Sequence, residues 1–222
     1  MTDRSLMLTI AVLGGTGKEG AGLAMRWALN GYRVIIGSRD AERGDSRAKE
    51  LNEILNGDYL SGMSNVDAAR EAGIVVLTVP YSAHRVTLES VRDQLSGKVL
   101  VDVTVPAPPA SSTVHLPEGQ SAALEAQALL GDEVRVVAAF QNIGFKHLGD
   151  PEHAIDSDVL VCGDDAEAKG DVLKLVDAAG MRGIDAGPLV NAIAVESLTA
   201  VLISINKTYK AKGAGLRITG IS

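Results

Sequence analysis

The chain is short of the features that usually announce a chemistry. A single cysteine, Cys162, leaves no internal disulfide framework, and at the end of the apolar run Val159-Leu160-Val161 it reads as a buried small hydrophobe rather than a nucleophile. No run approaches the ~18 consecutive apolar residues of a membrane span, and the first five residues lack a signal-peptide pattern, so a cytoplasmic location is expected. There is no G-x-S-x-G nucleophile elbow and no G-x-x-x-x-G-K-[ST] phosphate loop. The four histidines, His84, His115, His147 and His153, have neither cysteine partners nor an H-E-x-x-H helix, so no metal site is expected. With 21 basic and 28 acidic residues, the net charge of −7 argues against bulk binding to nucleic acid or an anionic membrane. Acid is missing locally too: from Ser197 to Ser222 there is no Asp or Glu, while Lys207, Lys210, Lys212 and Arg217 are present.

What is present suffices for an ordinary globular core: 222 residues, 46% hydrophobic and 22% charged. The run Thr9-Ile10-Ala11-Val12-Leu13 reads as an apolar strand, followed at once by Gly14-Gly15-Thr16-Gly17-Lys18-Glu19-Gly20. Gly15, Gly17 and Gly20 have the G-x-G-x-x-G spacing, and Ala21 to Asn30 has helical composition. A strand, this loop and a helix in that order form the dinucleotide fingerprint, in which backbone N–H groups at a helix start approach a pyrophosphate.

The type of dinucleotide is read one βαβ unit later. After the strand Arg33-Val34-Ile35-Ile36, an NAD site usually carries an acidic residue that holds the ribose 2′-hydroxyl. Here the chain has Gly37-Ser38-Arg39, with Arg43 one turn further on. A hydroxyl and two guanidinium groups suit a 2′-phosphate through charge-assisted hydrogen bonds, so NADP(H) is the expected cofactor. The plainer reading pairs both arginines with Asp40 and Glu42 on a wet surface.

Strand-like runs at Leu8–Leu13, Arg33–Ile36, Ile74–Val79, Val99–Val103 and Val134–Ala138 alternate with helical stretches at Ala21–Asn30, Ala41–Asn56, Asn65–Ala72, Ala83–Leu95 and Ser121–Leu130. The strands are Val/Ile/Leu-rich without alternation, as expected when both faces are covered. The pattern predicts an α/β fold: a Rossmann-type doubly wound parallel sheet with right-handed crossovers. After Gln141 the scale changes. Val159–Cys162 reads as a strand, Ala166–Ala179 as a helix capped by Asp164-Asp165, Gly183-Ile184-Asp185 as a short strand, and Leu189–Asn206 as a long helix opened by Pro188. The expected division is residues 1–140 as an NADP-binding Rossmann domain and 141–222 as a second, smaller α/β domain. An apolar last helix followed by a basic tail suggests a homodimer.

Three places could complete the site. Val79-Pro80-Tyr81 closes the fourth expected strand, Phe140-Gln141-Asn142-Ile143-Gly144-Phe145 leaves the last Rossmann strand, and Val195-Glu196-Ser197-Leu198-Thr199 puts hydroxyls on an apolar helix. The absence of an evident nucleophile or acid–base set suits direct hydride transfer between two bound cofactors, which needs alignment more than a protein base.

Taken together, Gly14-Gly15-Thr16-Gly17, Gly37-Ser38-Arg39, Cys162-Gly163-Asp164-Asp165, Asp185-Ala186-Gly187-Pro188-Leu189 and Val195-Glu196-Ser197-Leu198-Thr199 resemble the NADPH-dependent reductases of coenzyme F420, the 8-hydroxy-5-deazaflavin:NADP oxidoreductases. The resemblance runs over nearly the whole chain. It implies reversible hydride exchange between NADP(H) and coenzyme F420, both small-molecule partners. By position it implies Gly15, Thr16, Gly17, Lys18 and Glu19 at the pyrophosphate turn, and Ser38, Arg39 and Arg43 at the 2′-phosphate. Val79 and Pro80 would flank the path to the nicotinamide. Gln141, Asn142, Ile143 and Gly144 would lie at the stacked rings, with Ser197 and Thr199 on the deazaflavin side. Some relatives carry histidine where this chain has Gln141 and arginine where it has Ile193, which removes two possible contacts to the deazaflavin. Ser197 and Thr199, two apart on a helix, cannot face the same way. Two other readings stay open: an NADPH-dependent reductase of a small metabolite, and an NADPH-sensing module without turnover.

Overall fold

Ile10 to Leu13 have no solvent exposure at all, and a strand apolar on both faces requires helices on both sides. The computed structural model describes residues 8–108 and 110–221; residues 1–5, Pro109 and Ser222, on which the sequence reading also touches, lie outside them. The chain runs β1 (Thr9–Leu13), α1 (Lys18–Leu29), β2 (Arg33–Ser38), α2 (Ala41–Ile54), β3 (Leu60–Ser64), α3 (Asn65–Glu71), β4 (Ile74–Leu77) and α4 (Tyr81–Val91). It continues through β5 (Val99–Asp102), α5 (Ala122–Leu130), β6 (Arg135–Ala138), α6 (Phe145–Leu148), β7 (Asp158–Gly163), α7 (Ala166–Ala178), β8 (Arg182–Asp185) and α8 (Ala192–Tyr209).

The strands form one sheet in the order β3-β2-β1-β4-β5-β6-β7-β8. The first six are parallel, with the strand order reversing between β1 and β4, and this is where doubly wound sheets open a crevice for ligands. Across that crevice Leu13 is level with Gly37 on one side and Leu77 on the other. The sheet continues beyond residue 140: β7 lies antiparallel to β6, with Ala138 opposite Cys162, and β8 runs parallel to β7. One core gathers residues of α1, α2 and α7 on one face, and the other gathers residues of α3, α4, α5 and the start of α8. Cys162 is fully buried there, and burial pushes its thiol up to about 11, which suits a packing role.

Several elements depart from the sequence expectation. β3 has no apolar run: Leu-Ser-Gly-Met-Ser is an edge strand whose register is set by pairing with β2 and by close packing under α2. Only glycine fits at position 62, since a Cβ there would collide with the Gly44 backbone of α2. β4 stops at Leu77 rather than Val79, because Thr78 turns both its N–H and its hydroxyl onto Leu13 O, each at 2.9 Å. α8 begins at Ala192 after a 3-10 turn, Leu189–Asn191, and runs on to Tyr209. Among the described residues, Leu189–Tyr209 is the one helical stretch long and apolar enough to cross a membrane by length and composition, with mean hydropathy 1.7. Its Leu189, Ala192 and Val195 are instead core residues packed against the sheet.

Two side chains of α1 tie the halves of the chain together. Trp27 meets Phe140 edge-to-face at 5.9 Å and donates its indole N–H to Leu175 O at 2.8 Å, so ring area and polar atom are both accommodated. The buried Arg26 guanidinium donates to the carbonyls of Ala179, His147, Asp150 and His153 at 2.6–3.0 Å. It thereby fixes the loop that leaves α6. The basic tail folds back onto β7: Leu216 O accepts from Asp158 N–H at 2.7 Å, and Arg217 pairs with Asp156 at 3.0 Å.

Candidate functional site

Gly14, Gly15, Thr16 and Gly17 turn the chain sharply from β1 into α1. Gly17 N–H closes the turn on Gly14 O at 2.9 Å, and Gly15 N–H is shared between Val12 O and Gly37 O. α1 packs so tightly that a Cβ on Gly20 would drive into Thr78 Oγ1. Gly17 brings no side-chain cap, so the N–H groups of the first turn, from Lys18 onward, have no intrahelical acceptor. By contrast α2, α3, α5 and α7 are capped by Asp40, Ser64, Ser121 and Asp165. An uncapped N-terminus behind a glycine turn at the crevice suits an anion. Burial pushes the Glu19 carboxyl in that first turn up to about 8, so at neutral pH it does not fill the place with charge of its own.

Ser38 ends β2 as a buried residue, and Arg39 and Arg43 follow it, both exposed. Asp40 is occupied in capping α2, its Oδ1 accepting Glu42 N–H at 2.9 Å. Among the described residues, neither arginine forms an ion pair, so the surface pairing with Asp40 and Glu42 is not what the structure contains. Two unneutralised guanidinium groups therefore stand beside the end of β2. Val79 and Pro80 leave β4 on the other side of the glycine turn, Pro80 opening α4.

A second wall lies at the ends of β5 and β6. Phe140 takes a positive φ of 73° while 1% exposed, a strained conformation that swings the following residues across the sheet edge. The Gln141 amide N donates to Asp102 O at 2.8 Å, and the Asn142 amide N donates to Val195 O at 2.9 Å and Thr199 Oγ1 at 3.1 Å. Carbonyls only accept, so neither amide can be turned over. Both amide oxygens are left buried and without a partner, as is the nearby Thr104 hydroxyl. Buried acceptors of this kind are costly unless an ordered water or a ligand supplies the donor.

The structure thus joins Gln141, Asn142 and Thr199, whose hydroxyl also donates to Gln141 O at 2.8 Å. It does not join Ser197 to them. The Ser197 hydroxyl bonds back to Ile193 O in its own helix at 2.6 Å. Asn142, Ile143 and Gly144 also line a cavity of about 280 Å³, walled further by His147, His153, Ser157 and the tail glycines Gly213 and Gly215. His147 and His153 stack at 5.3 Å, and among the described residues no cluster of three or more His, Cys, Asp or Glu is placed to hold a metal.

Sequence reasoning passed over a buried polar group beneath this wall. His84 on α4 meets Asp102 at 2.7 Å, with both side chains enclosed, and Asp102 Oδ1 also accepts Thr104 N–H. Tyr81 donates to Glu125 at 2.9 Å; burial first and that carboxylate second push its hydroxyl up to about 12. Glu196 is 2% exposed and accepts from Ala122 and Ala123 N–H at the start of α5. One signal for it was visible: it is the lone acid in an apolar helical run.

A doubly wound sheet, a glycine turn into an uncapped helix and a cationic end to β2 define a Rossmann-type dinucleotide-binding protein. Residues 9–106 match the family described as NADP oxidoreductase, coenzyme F420-dependent. The F420-dependent NADP reductase of Methanothermobacter thermautotrophicus is 42% identical, covering 97% of this chain and 97% of its own length. The protein of the same name from Methanocaldococcus jannaschii is 39% identical over 96% of this chain and 99% of its own. In fold, the chain is similar to a crystal structure from Arthrobacter sp. FB24 described as an F420-dependent NADP reductase, with TM-score 0.80 and 27% identity over 96% of this chain and 100% of that one. The chain belongs to the F420-dependent NADP reductase family.

Proposed function

We propose that this protein is an oxidoreductase exchanging hydride reversibly between NADP(H) and the deazaflavin coenzyme F420. The observation that carries this reading is the pair of free amide oxygens on Gln141 and Asn142, held at the same sheet edge as the uncapped N-terminus of α1. Both ends of such a site fit their ligands. The turn Gly15–Glu19 offers N–H groups to a pyrophosphate, and Ser38, Arg39 and Arg43 offer a hydroxyl and two free cations to a 2′-phosphate. Val79 and Pro80 flank the route between them and the rings. Gln141 and Asn142 offer acceptors suited to the N–H groups of the deazaflavin's pyrimidinedione ring, with Ile143 and Gly144 beside them. Thr199 holds these two residues in place, while Ser197 supports the helix that carries Thr199.

When bound, nicotinamide and deazaflavin supply the two carbons between which hydride passes. The chain's own part is to align the rings and exclude water, which needs no nucleophile. In this reading residues 1–140 form the NADP-binding unit and 141–222 contribute the deazaflavin side of the cleft. The exposed Val201, Ile205 and Tyr209 of α8 suit a homodimer, and a cytoplasmic location follows the small, diffusible partners.

The test is to mix protein, NADPH and oxidised F420 and follow the visible deazaflavin band. Bleaching is expected. Tight NADPH binding without bleaching would overturn the reading in favour of an NADPH-sensing module. Equal binding of NADH and NADPH would overturn the role of Arg39 and Arg43.

A further inference from the structure

Glu196 is the one acidic residue of α8, yet it faces inward rather than to water. Its two oxygens accept the N–H groups of Ala122 at 2.8 Å and Ala123 at 3.1 Å. α5 already carries its own cap, Ser121 Oγ accepting Leu124 N–H at 3.1 Å. What Glu196 adds beyond capping is a connection between two elements. Immediately before it, Val195 O accepts the Asn142 amide; three residues after it, on the same side of the helix, Thr199 meets Gln141 and Asn142. Among the described residues, Glu196 and Thr199 alone make side-chain hydrogen bonds from the first half of α8 to other elements. A rotation or slide of α8 would therefore be resisted at Glu196 and felt at Thr199.

We propose that Glu196 is a positioning residue for the second cofactor: by clamping α8 onto the start of α5, it sets where Thr199 holds Gln141 and Asn142, and so where their free amide oxygens stand. This rests on the function proposed above. The groups facing Glu196 are Asp102 from β5, Glu125 from α5, Tyr81 from α4 and Cys162 from β7, with His84 bonded to Asp102. Burial, opposed by the two N–H bonds and reinforced by Asp102 and Glu125, pushes the Glu196 carboxyl up to about 8. Above that pH both oxygens accept as a carboxylate; below it one carries a proton and is the weaker acceptor. The two N–H bonds therefore strengthen as pH rises, although burying the charge lowers overall stability.

The experiment compares E196Q with S121A. Both weaken the same helix end, but S121A leaves α8 untouched. E196Q is expected to raise KM for F420 about tenfold with KM for NADPH changed less than twofold, and to remove the fall of KM for F420 as pH rises through about 8. S121A is expected to lower thermal stability with the ratio of the two KM values unchanged. Equal shifts in both variants, or an E196Q enzyme with an unmoved KM for F420, would overturn the proposal. Should the wild-type protein fail to turn over F420, the proposed function falls, and the clamp is read instead from exchange of the Asn142 side-chain amide protons. Faster exchange in E196Q than in S121A would support the clamp, and equal exchange would overturn it.

Discussion

Asn142 and Thr199, 57 residues apart, are joined by a hydrogen bond of 3.1 Å from amide to hydroxyl, which brings the loop after β6 against the middle of α8. Because the Thr199 hydroxyl donates onward to Gln141 O, one side chain orders both residues of the wall. Replacing it with an isosteric apolar group should expose that dependence. Thr199→Val is expected to lower stability by about 1–2 kcal/mol and to raise KM for F420 severalfold, leaving NADPH affinity unchanged. Ser197→Ala, whose hydroxyl serves only its own helix, should change neither constant by more than about twofold. Steady-state kinetics with each cofactor varied separately will decide.

Arg39 and Arg43 stand without ion pairs beside the end of β2. Charge-assisted hydrogen bonds are worth about 1.5–3 kcal/mol each, so Arg39→Ala with Arg43→Ala should weaken NADPH by about 100-fold or more. NADH affinity should hardly move. Fluorescence titration of the two nucleotides, at low and high salt, measures the difference; equal losses for both would remove the 2′-phosphate role.

Asp158 anchors the folded-back tail: it takes two bonds from Arg182, at 2.8 and 2.6 Å, and one from Ile218 N–H. The Arg182 guanidinium above all holds its carboxyl below the usual carboxylate range. Because the folded value is depressed, the stabilisation is present above the unfolded value of ~3.9 and is lost as pH falls through the folded one. Asp158→Asn should lower the melting temperature at neutral pH by at least ~5 °C, erase part of the acid transition and speed hydrogen exchange at Ile218.

Glu19 and Glu196 have the opposite sign. Burial raises both to about 8 in the folded chain, so the folded state holds protons that the unfolded state releases near the ordinary carboxylate value of 4.5. Their contribution is complete below about 4.5 and declines as pH rises to about 8. Urea midpoints at pH 5, 7 and 9 should therefore fall, and Glu19→Gln with Glu196→Gln should flatten the decline. A wild-type midpoint rising from pH 5 to 9 would contradict the assignment.

The fold and the first half of the site were legible because local chemistry specifies them. Ile10 to Leu13 must be covered on both faces, the glycines that follow them permit the turn, and Ser38 with Arg39 sits at a fixed distance along the chain from that turn. β3 was not legible, since its strand state comes from pairing with β2 and from α2 above it rather than from its own residues. Nor was the buried group of His84, Asp102, Tyr81, Glu125 and Glu196: only Glu196 carried a signal along the chain, and the set exists only where four separate elements bring it together.

Sequence by itself determined that there would be a parallel sheet, a glycine turn at the end of its first strand and cations beyond the second, since spacing of a few residues along one βαβ unit settles those distances. Only the tertiary structure decided which of Ser197 and Thr199 faces the site, which way the Gln141 and Asn142 amides point, and that Arg217 is taken up by Asp156. Those outcomes depend on acceptors far away in the chain, and a hydrogen bond about 3 Å long is decided by where packing places its partner, not by the residue that offers it.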